Sequence, residues 1–128
     1  MVVVIDDSDD SLIALKEIIG DAGYDVAAFS DPTDALKFIE RNKGVVEVCV
    51  VDYVMPEMNG EVVSRRIREF DKDIFIMLMS GYVDFDRVQP LLKERLFYQF
   101  FTKPLDFDRL LRTIDTAIKL YLKKQALS

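Results

Sequence analysis

Val45-Val46-Glu47-Val48-Cys49-Val50-Val51-Asp52 is an apolar, β-branched run that stops at a single carboxylate. Runs of this length and composition, bounded by polar residues, form buried strands of a parallel sheet. Two other stretches share its form. Val2-Val3-Val4-Ile5 closes on the pair Asp6-Asp7, and Phe97-Tyr98-Gln99-Phe100-Phe101 leads into Thr102-Lys103-Pro104. Ile74–Met79 reads as a further strand ending at Ser80-Gly81, and the weak alternation of Tyr24–Phe29 as another. Charged groups therefore recur where strands end and loops begin, the rim at which open parallel sheets bind ligands. Carboxylates gathered there repel one another unless a cation joins them. The first inference is a divalent metal site beside a reactive Asp.

Helical spacing fills the intervals between these strands. Leu12, Leu15, Ile18 and Ile19 recur on one face, with Gly23 as a stop signal. Ser30-Asp31-Pro32-Thr33 starts a second helix with a cap followed by Pro in the first turn, and Ala35, Leu36, Phe38 and Ile39 give its apolar face. Val62, Val63, Ile67 and Phe70 mark a third helix. Val88, Leu91 and Leu92 mark a fourth, but Pro90 lacks a backbone donor, so this helix is expected to start late, near Pro90, or to be kinked. Leu110, Ile114, Ala117, Ile118 and Tyr121 form the stripe of a longer last helix, which runs on through Lys119–Lys124. The alternation predicts an α/β fold, a doubly wound five-stranded parallel sheet flanked by five helices with right-handed crossovers. Periodicity leaves the strand order open. The domain is expected over residues 1–122, with 123–128 as a tail or the start of a linker.

At 128 residues the chain makes one domain with a core that needs no disulfide or metal staple. Its net charge of −6 argues against direct nucleic-acid binding, which needs a basic stripe. No apolar run approaches a membrane span, and no signal peptide precedes Asp6-Asp7. Cys49 lies inside an apolar run and reads as a buried core residue, consistent with a reducing cytoplasm. Histidine is absent, which rules out a Ser-His-Asp triad, a His-ligated zinc and a phosphohistidine on this chain. Any histidine chemistry must come from a partner.

Five features agree in order and spacing with one known family. They are Asp6-Asp7; Asp52-Tyr53-Val54-Met55-Pro56 with Met58-Asn59-Gly60 behind it; Ser80-Gly81; Phe100; and Lys103-Pro104. From Val2 to about Tyr121 the chain resembles the receiver domain of two-component response regulators. The resemblance implies a flavodoxin-like sheet in the order 2-1-3-4-5. It implies that Asp52 accepts a phosphoryl group from the phosphohistidine of a sensor histidine kinase or histidine phosphotransfer protein. By the same resemblance Asp7, Asp52 and the Val54 backbone carbonyl ligate Mg²⁺ or another divalent ion such as Mn²⁺, with Asp6 acting largely through a bound water. Ser80 and Phe100 are then switch residues, and the target is a downstream protein or fused output domain, with homodimerisation compatible.

The residue types suit this chemistry in their own right. Mg²⁺ favours one or two carboxylates, phosphate oxygens and waters. An attacking carboxylate needs the Mg²⁺ and the Lys103 ammonium to offset the negative charge of the phosphoryl group. Each feature also has a plainer reading. An isolated Asp-Asp pair is ordinarily a solvated turn, a lone lysine a surface residue, Ser80 a turn cap and Phe100 core packing; Asp52 and Lys103 in register reverse the balance for Asp6-Asp7. Asp9 and Asp10 read as first-turn acids that complement the helix dipole. Val54 and Tyr82 flank the path of an attacking water and predict slow hydrolysis of the acyl phosphate. A phosphohydrolase with an aspartyl-phosphate intermediate is disfavoured, because the position two residues after Asp52 is Val54 and not an acid. A binding module independent of phosphorylation would lack one of the acids or the lysine. Arg95-Leu96-Phe97-Tyr98-Gln99 departs from the Gly-Ala pair common in the family, so that turn is expected to be built differently, with Phe97 or Tyr98 alternating into the core.

Overall fold

The tetrapeptide Val2–Ile5 forms β1, and all four of its side chains are buried. Such continuous burial requires cover on both faces of the sheet. The computed structural model describes residues 1–81 and 85–127. Among these, α1 (Asp9–Asp21), β2 (Val26–Phe29), α2 (Pro32–Arg41), β3 (Val48–Asp52), α3 (Gly60–Phe70), β4 (Phe75–Ser80), α4 (Phe85–Lys93), β5 (Gln99–Thr102) and α5 (Phe107–Ala126) follow in alternation. The strands are parallel in the order β2-β1-β3-β4-β5, as the resemblance implied.

Successive strand residues point to opposite faces and so feed two cores. Val3, Ile5, Cys49, Val51, Ile76 and Leu78 pack with the buried faces of α2, α3 and α4. Val2, Val4, Val48, Val50, Met77 and Met79 pack with α1 and α5. Cys49 is fully buried, and burial pushes its thiol pKa up, consistent with an inert core residue. Side-chain caps open the helices. Ser8, Asp31, Asn59 and Asp106 each accept a hydrogen bond from a first-turn N–H of α1, α2, α3 and α5 respectively. No described helix is long and apolar enough to cross a membrane.

The starts of β3 and α4 differ most from the sequence expectation. β3 begins at Val48, because the Val45 and Val46 N–H groups donate to the Asn42 carbonyl in a turn through Gly44, whose φ is +89°. Val45 is accordingly 52% exposed. α4 does not start late: it begins at Phe85 and carries Pro90 inside. Proline removes a single intrahelical bond there, and the helix continues past it, with the Glu94 N–H donating to the Pro90 carbonyl at 3.0 Å. α5 runs on through Lys124, as its stripe predicts, and its last turn is tied back by the Lys124–Asp73 ion pair at 2.9 Å.

The turn between α4 and β5 is indeed built differently. The Leu96 N–H donates to the Leu91 carbonyl at 3.2 Å and the Arg95 N–H to the Leu92 carbonyl at 3.0 Å, the paired bonds of a Schellman motif. Leu91 and Leu96 supply its buried apolar contact. The motif needs a left-handed residue, usually glycine; here Arg95 takes φ +62°. Phe97 then enters the core, while Tyr98 stays half-buried against Phe75.

A left-handed non-glycine residue costs about 1–2 kcal/mol, whereas glycine gives back about 0.4–1 kcal/mol through unfolded-state entropy. Arg95→Gly is therefore expected to stabilise the protein by roughly 0.5–1 kcal/mol, read as a higher denaturant midpoint at unchanged m-value.

Candidate functional site

Parallel pairing brings the C-terminal ends of β1, β3, β4 and β5 to one rim. The register sets Ile5 beside Val51, Asp52 beside Met79 and Ser80 beside Thr102. Asp6, Asp52, Ser80 and Lys103 thus converge although nearly a hundred residues separate the first from the last. Carboxylate oxygens of Asp6, Asp7 and Asp52 all lie within 4.8 Å of one another. Asp6 and Asp52 are buried and Asp7 is exposed.

Each buried acid is held by specific donors. Asp6 accepts from the Ser8 N–H at 2.9 Å on one oxygen and from Lys103 Nζ at 3.3 Å on the other. Asp52 accepts from the Val54 N–H at 3.2 Å and from Lys103 Nζ at 3.2 Å. The Lys103–Pro104 peptide bond is cis. The Lys103 N–H donates to the Ser80 carbonyl at 2.8 Å, which anchors the lysine backbone to the end of β4.

The electrostatics are unbalanced. Burial raises the Asp52 pKa above the ordinary carboxylate value, and repulsion from Asp6 adds to it, against the opposing pull of Lys103 and the Val54 N–H. Burial works to lower the Lys103 pKa, but Asp52 and Asp6 outweigh it and the net shift is upward. Both shifts register an ammonium that faces more negative charge than it neutralises, added at Asp52 to the larger effect of burial. Three converging carboxylates with one ammonium are a donor set that fits a hard divalent cation.

The backbone behind Asp52 admits no alternative at Gly60. A Cβ there would lie 2.9 Å from the Tyr53 Cα and 3.1 Å from the Asp52 carbonyl oxygen. The Gly60 N–H donates to the Tyr53 carbonyl at 2.9 Å and closes the loop. Ser80 is fully buried at the end of β4. Phe100 is half-buried in β5, with its ring centroid 6.4 Å from that of Phe97. Val54 is 62% exposed at the rim, and Tyr82 lies outside the described residues. Asp9 and Asp10 occupy the first turn of α1, outside the carboxylate cluster.

One link was not legible beforehand. The Arg87 Nε donates to the Tyr53 hydroxyl at 2.6 Å, and Arg87 also lies 3.9 Å from Glu61. Arg65 pairs with Glu61 at 3.2 Å and with Glu94 at 3.1 Å, joining α3 to α4. Only the Glu61–Arg65 spacing of four residues signals such a pair in sequence.

Residues 2–115 match the family model described as the response regulator receiver domain. Over 120 residues, 94% of this chain, it is 32% identical to the hydrogenase transcriptional regulatory protein HoxA of Bradyrhizobium diazoefficiens, covering 24% of that protein. It is 31% identical, again over 94% of its length, to the response regulator protein TodT of Pseudomonas putida, covering 52% of it. The chain thus spans about a quarter to a half of these relatives. A solved response regulator receiver domain protein from Clostridium thermocellum superposes with a TM-score of 0.89 at 25% identity, over 99% of this chain and 98% of that one.

The raised Asp52 pKa has a consequence for stability. Above the folded-state pKa, the ionised Asp52 destabilises the metal-free fold; as pH falls through it toward the unfolded value, that penalty disappears. Asp52→Asn is expected to raise the melting temperature of the metal-free protein at neutral pH by a few degrees, on the order of 1 kcal/mol. The advantage is expected to shrink on acidification, and Mg²⁺ to stabilise the parent more than the variant. Thermal scans across pH, with and without Mg²⁺, measure all three.

Proposed function

This chain belongs to the response-regulator receiver domain family, and from that membership we propose that Asp52 is its phosphoacceptor. The domain serves signalling and not small-molecule turnover. The observation that carries the assignment of Asp52 is the bridge from Lys103 to both Asp6 and Asp52. Asp6 shares that pairing but is wholly buried, so the reading falls on Asp52, which keeps some exposure at the rim.

Asp7, Asp52 and the Val54 carbonyl would hold Mg²⁺ or Mn²⁺, with Asp6 acting largely through a water, as the family resemblance implies. When bound, the ion neutralises charge on the phosphoryl oxygens. In the transfer, an Asp52 oxygen forms the new P–O bond as the P–N bond to a partner's imidazole breaks, and the leaving imidazole takes up a proton. Lys103 stabilises the equatorial oxygens and then pairs with the acyl phosphate. The Ser80 hydroxyl donates to a phosphoryl oxygen, and Phe100 follows by repacking in β5. No hydroxyl holds Phe100 inward, so that state rests on packing alone.

The partner class is a sensor histidine kinase or a histidine phosphotransfer protein. The output is a downstream protein or a fused module, and two of the relatives are named as transcriptional regulatory or response regulator proteins. The receiver is taken as residues 1–122, with 123–128 leading onward, in a cytoplasmic setting. Direct nucleic-acid contact by this domain is disfavoured by its net charge of −6.

Intact-mass measurement after incubation with acetyl phosphate and Mg²⁺ is expected to show one added phosphoryl group. The adduct should disappear without Mg²⁺ and in Asp52→Asn, and Lys103→Ala should slow its formation by about tenfold or more. Persistence of the adduct in Asp52→Asn refutes the assignment. Val54→Asn is expected to shorten the adduct's lifetime, measured by its decay after removal of acetyl phosphate.

A further inference from the structure

At the end of the sheet opposite Asp52, where β4 and β5 begin, lies a cavity of about 490 Å³. Four cations, Arg68, Lys72, Arg95 and Lys124, line it, in a chain whose net charge is −6. Lys124 is paired with Asp73, which also accepts from Gln125 at 3.2 Å. Among the described residues, Arg68, Lys72 and Arg95 form no ion pair. Two of these cations are held in ways that ordinary surface residues are not.

Arg68 is half-buried, and its side chain makes one long hydrogen bond, 3.4 Å to the Asp71 carbonyl. A guanidinium has five N–H donors. Burial lowers the Arg68 pKa from the usual arginine value and outweighs the opposing pull of Asp71 and Asp73, so the charge is partly stripped of water, and neither carboxylate forms an ion pair with it among the described residues. Arg95 is the independent observation. It occupies the left-handed position of the Schellman turn, where glycine is the unstrained choice. Backbone strain of this kind clusters at functional sites, and it sets a second guanidinium on the same cavity. The aromatic pair Phe75–Tyr98, with centroids 5.0 Å apart at 87°, also lines it.

We propose that this cavity binds a small organic phosphate carrying a flat ring, the chemistry of a nucleoside monophosphate. Arg68, Arg95 and Lys72 take the phosphate, and the Phe75–Tyr98 pair takes the ring. Guanidinium forks match phosphate oxygens bidentately, and the volume falls within the range of about 300–1,000 Å³ usual for small-ligand sites. None of the lining residues belongs to the Asp52 rim, so the two sites are separate.

Titration calorimetry of the full chain with AMP and with GMP tests this, beside inorganic phosphate and adenosine. At least one nucleotide is expected to bind saturably with a Kd on the order of 0.1 mM, and phosphate and adenosine about tenfold more weakly or worse. Arg68→Gln and Arg95→Gly should each weaken nucleotide binding by about tenfold. Arg95→Gly relaxes the turn, so a loss there is not a folding defect. Asp52→Asn should leave binding unchanged. The proposal is overturned by no binding of either nucleotide at about 5 mM, by binding that survives both arginine variants, or by binding abolished in Asp52→Asn. Phosphate alone binding as tightly as a nucleotide would overturn the role given to the aromatic pair.

Discussion

Lys103 lies 3.3 Å from Asp6 and 3.2 Å from Asp52, and through those two contacts one ammonium joins the ends of β1, β3 and β5. A carboxylate as buried as Asp6 is unfavourable unless it is paired and hydrogen-bonded. The Ser8 N–H and the lysine meet that requirement. They do not meet it for the cluster as a whole, since Asp7 and Asp52 add charge within 4.8 Å. The rim is therefore folded in a state that favours more positive charge. That surplus is carried by the rest of the domain, whose two apolar layers on either face of the sheet hold the acids in place. A site pre-organised in this way needs little rearrangement when charge is supplied or transferred there.

Geometry at the rim is set as much by backbone as by charge. Asn59 caps α3 through the Val62 N–H at 2.9 Å, and Gly60 brings that helix against the Asp52–Tyr53 backbone at a distance no Cβ permits. The loop between β3 and α3 is thereby short of alternatives, and Asp52 inherits its rigidity. Tyr53 extends the arrangement sideways through its hydroxyl to Arg87 on α4. The exposed pairs that join α3 and α4 are each worth little. The Tyr53–Arg87 hydrogen bond differs from them in place, because it attaches α4 to the residue directly after Asp52.

Most of the fold was legible because burial on both faces writes itself into sequence as unbroken apolar runs. Val2–Ile5 and Val48–Val51 are fully buried, and their runs end at the acids that mark the rim. Strand order was not in the periodicity; it came from resemblance and is present in the pairing. The misjudged features were local contests. Pro90 predicted a late start or a kink, yet α4 starts at Phe85, since one lost bond is tolerable in a helix whose Val88 and Leu91 are buried. Arg95 gave no signal at all, since a left-handed arginine is recognised only by its φ. The site acids and Lys103 were readable from their positions at strand ends. Arg87 was not, because its contact with Tyr53 depends on how α4 sits beside the loop.

A parallel sheet has two chemically different ends, and this chain uses them differently. Strand C-termini carry Asp6, Asp52 and the loop acid Asp7; the opposite end gathers Arg68, Lys72, Arg95 and Lys124. In a chain of net charge −6, four cations around one cavity are the exception. Asp73 is the one acid among the residues lining that cavity, and it is paired with Lys124. Between them lie strands whose side chains are almost wholly buried, a medium with little free volume to absorb displacement. Occupancy at either end is then independent in its contacts. Two connections join them: β4 and β5, which begin at the cationic cavity and end at Ser80 and Thr102 beside the rim, and α3, which starts at Gly60 against the Asp52–Tyr53 backbone and carries Arg68 near its other end.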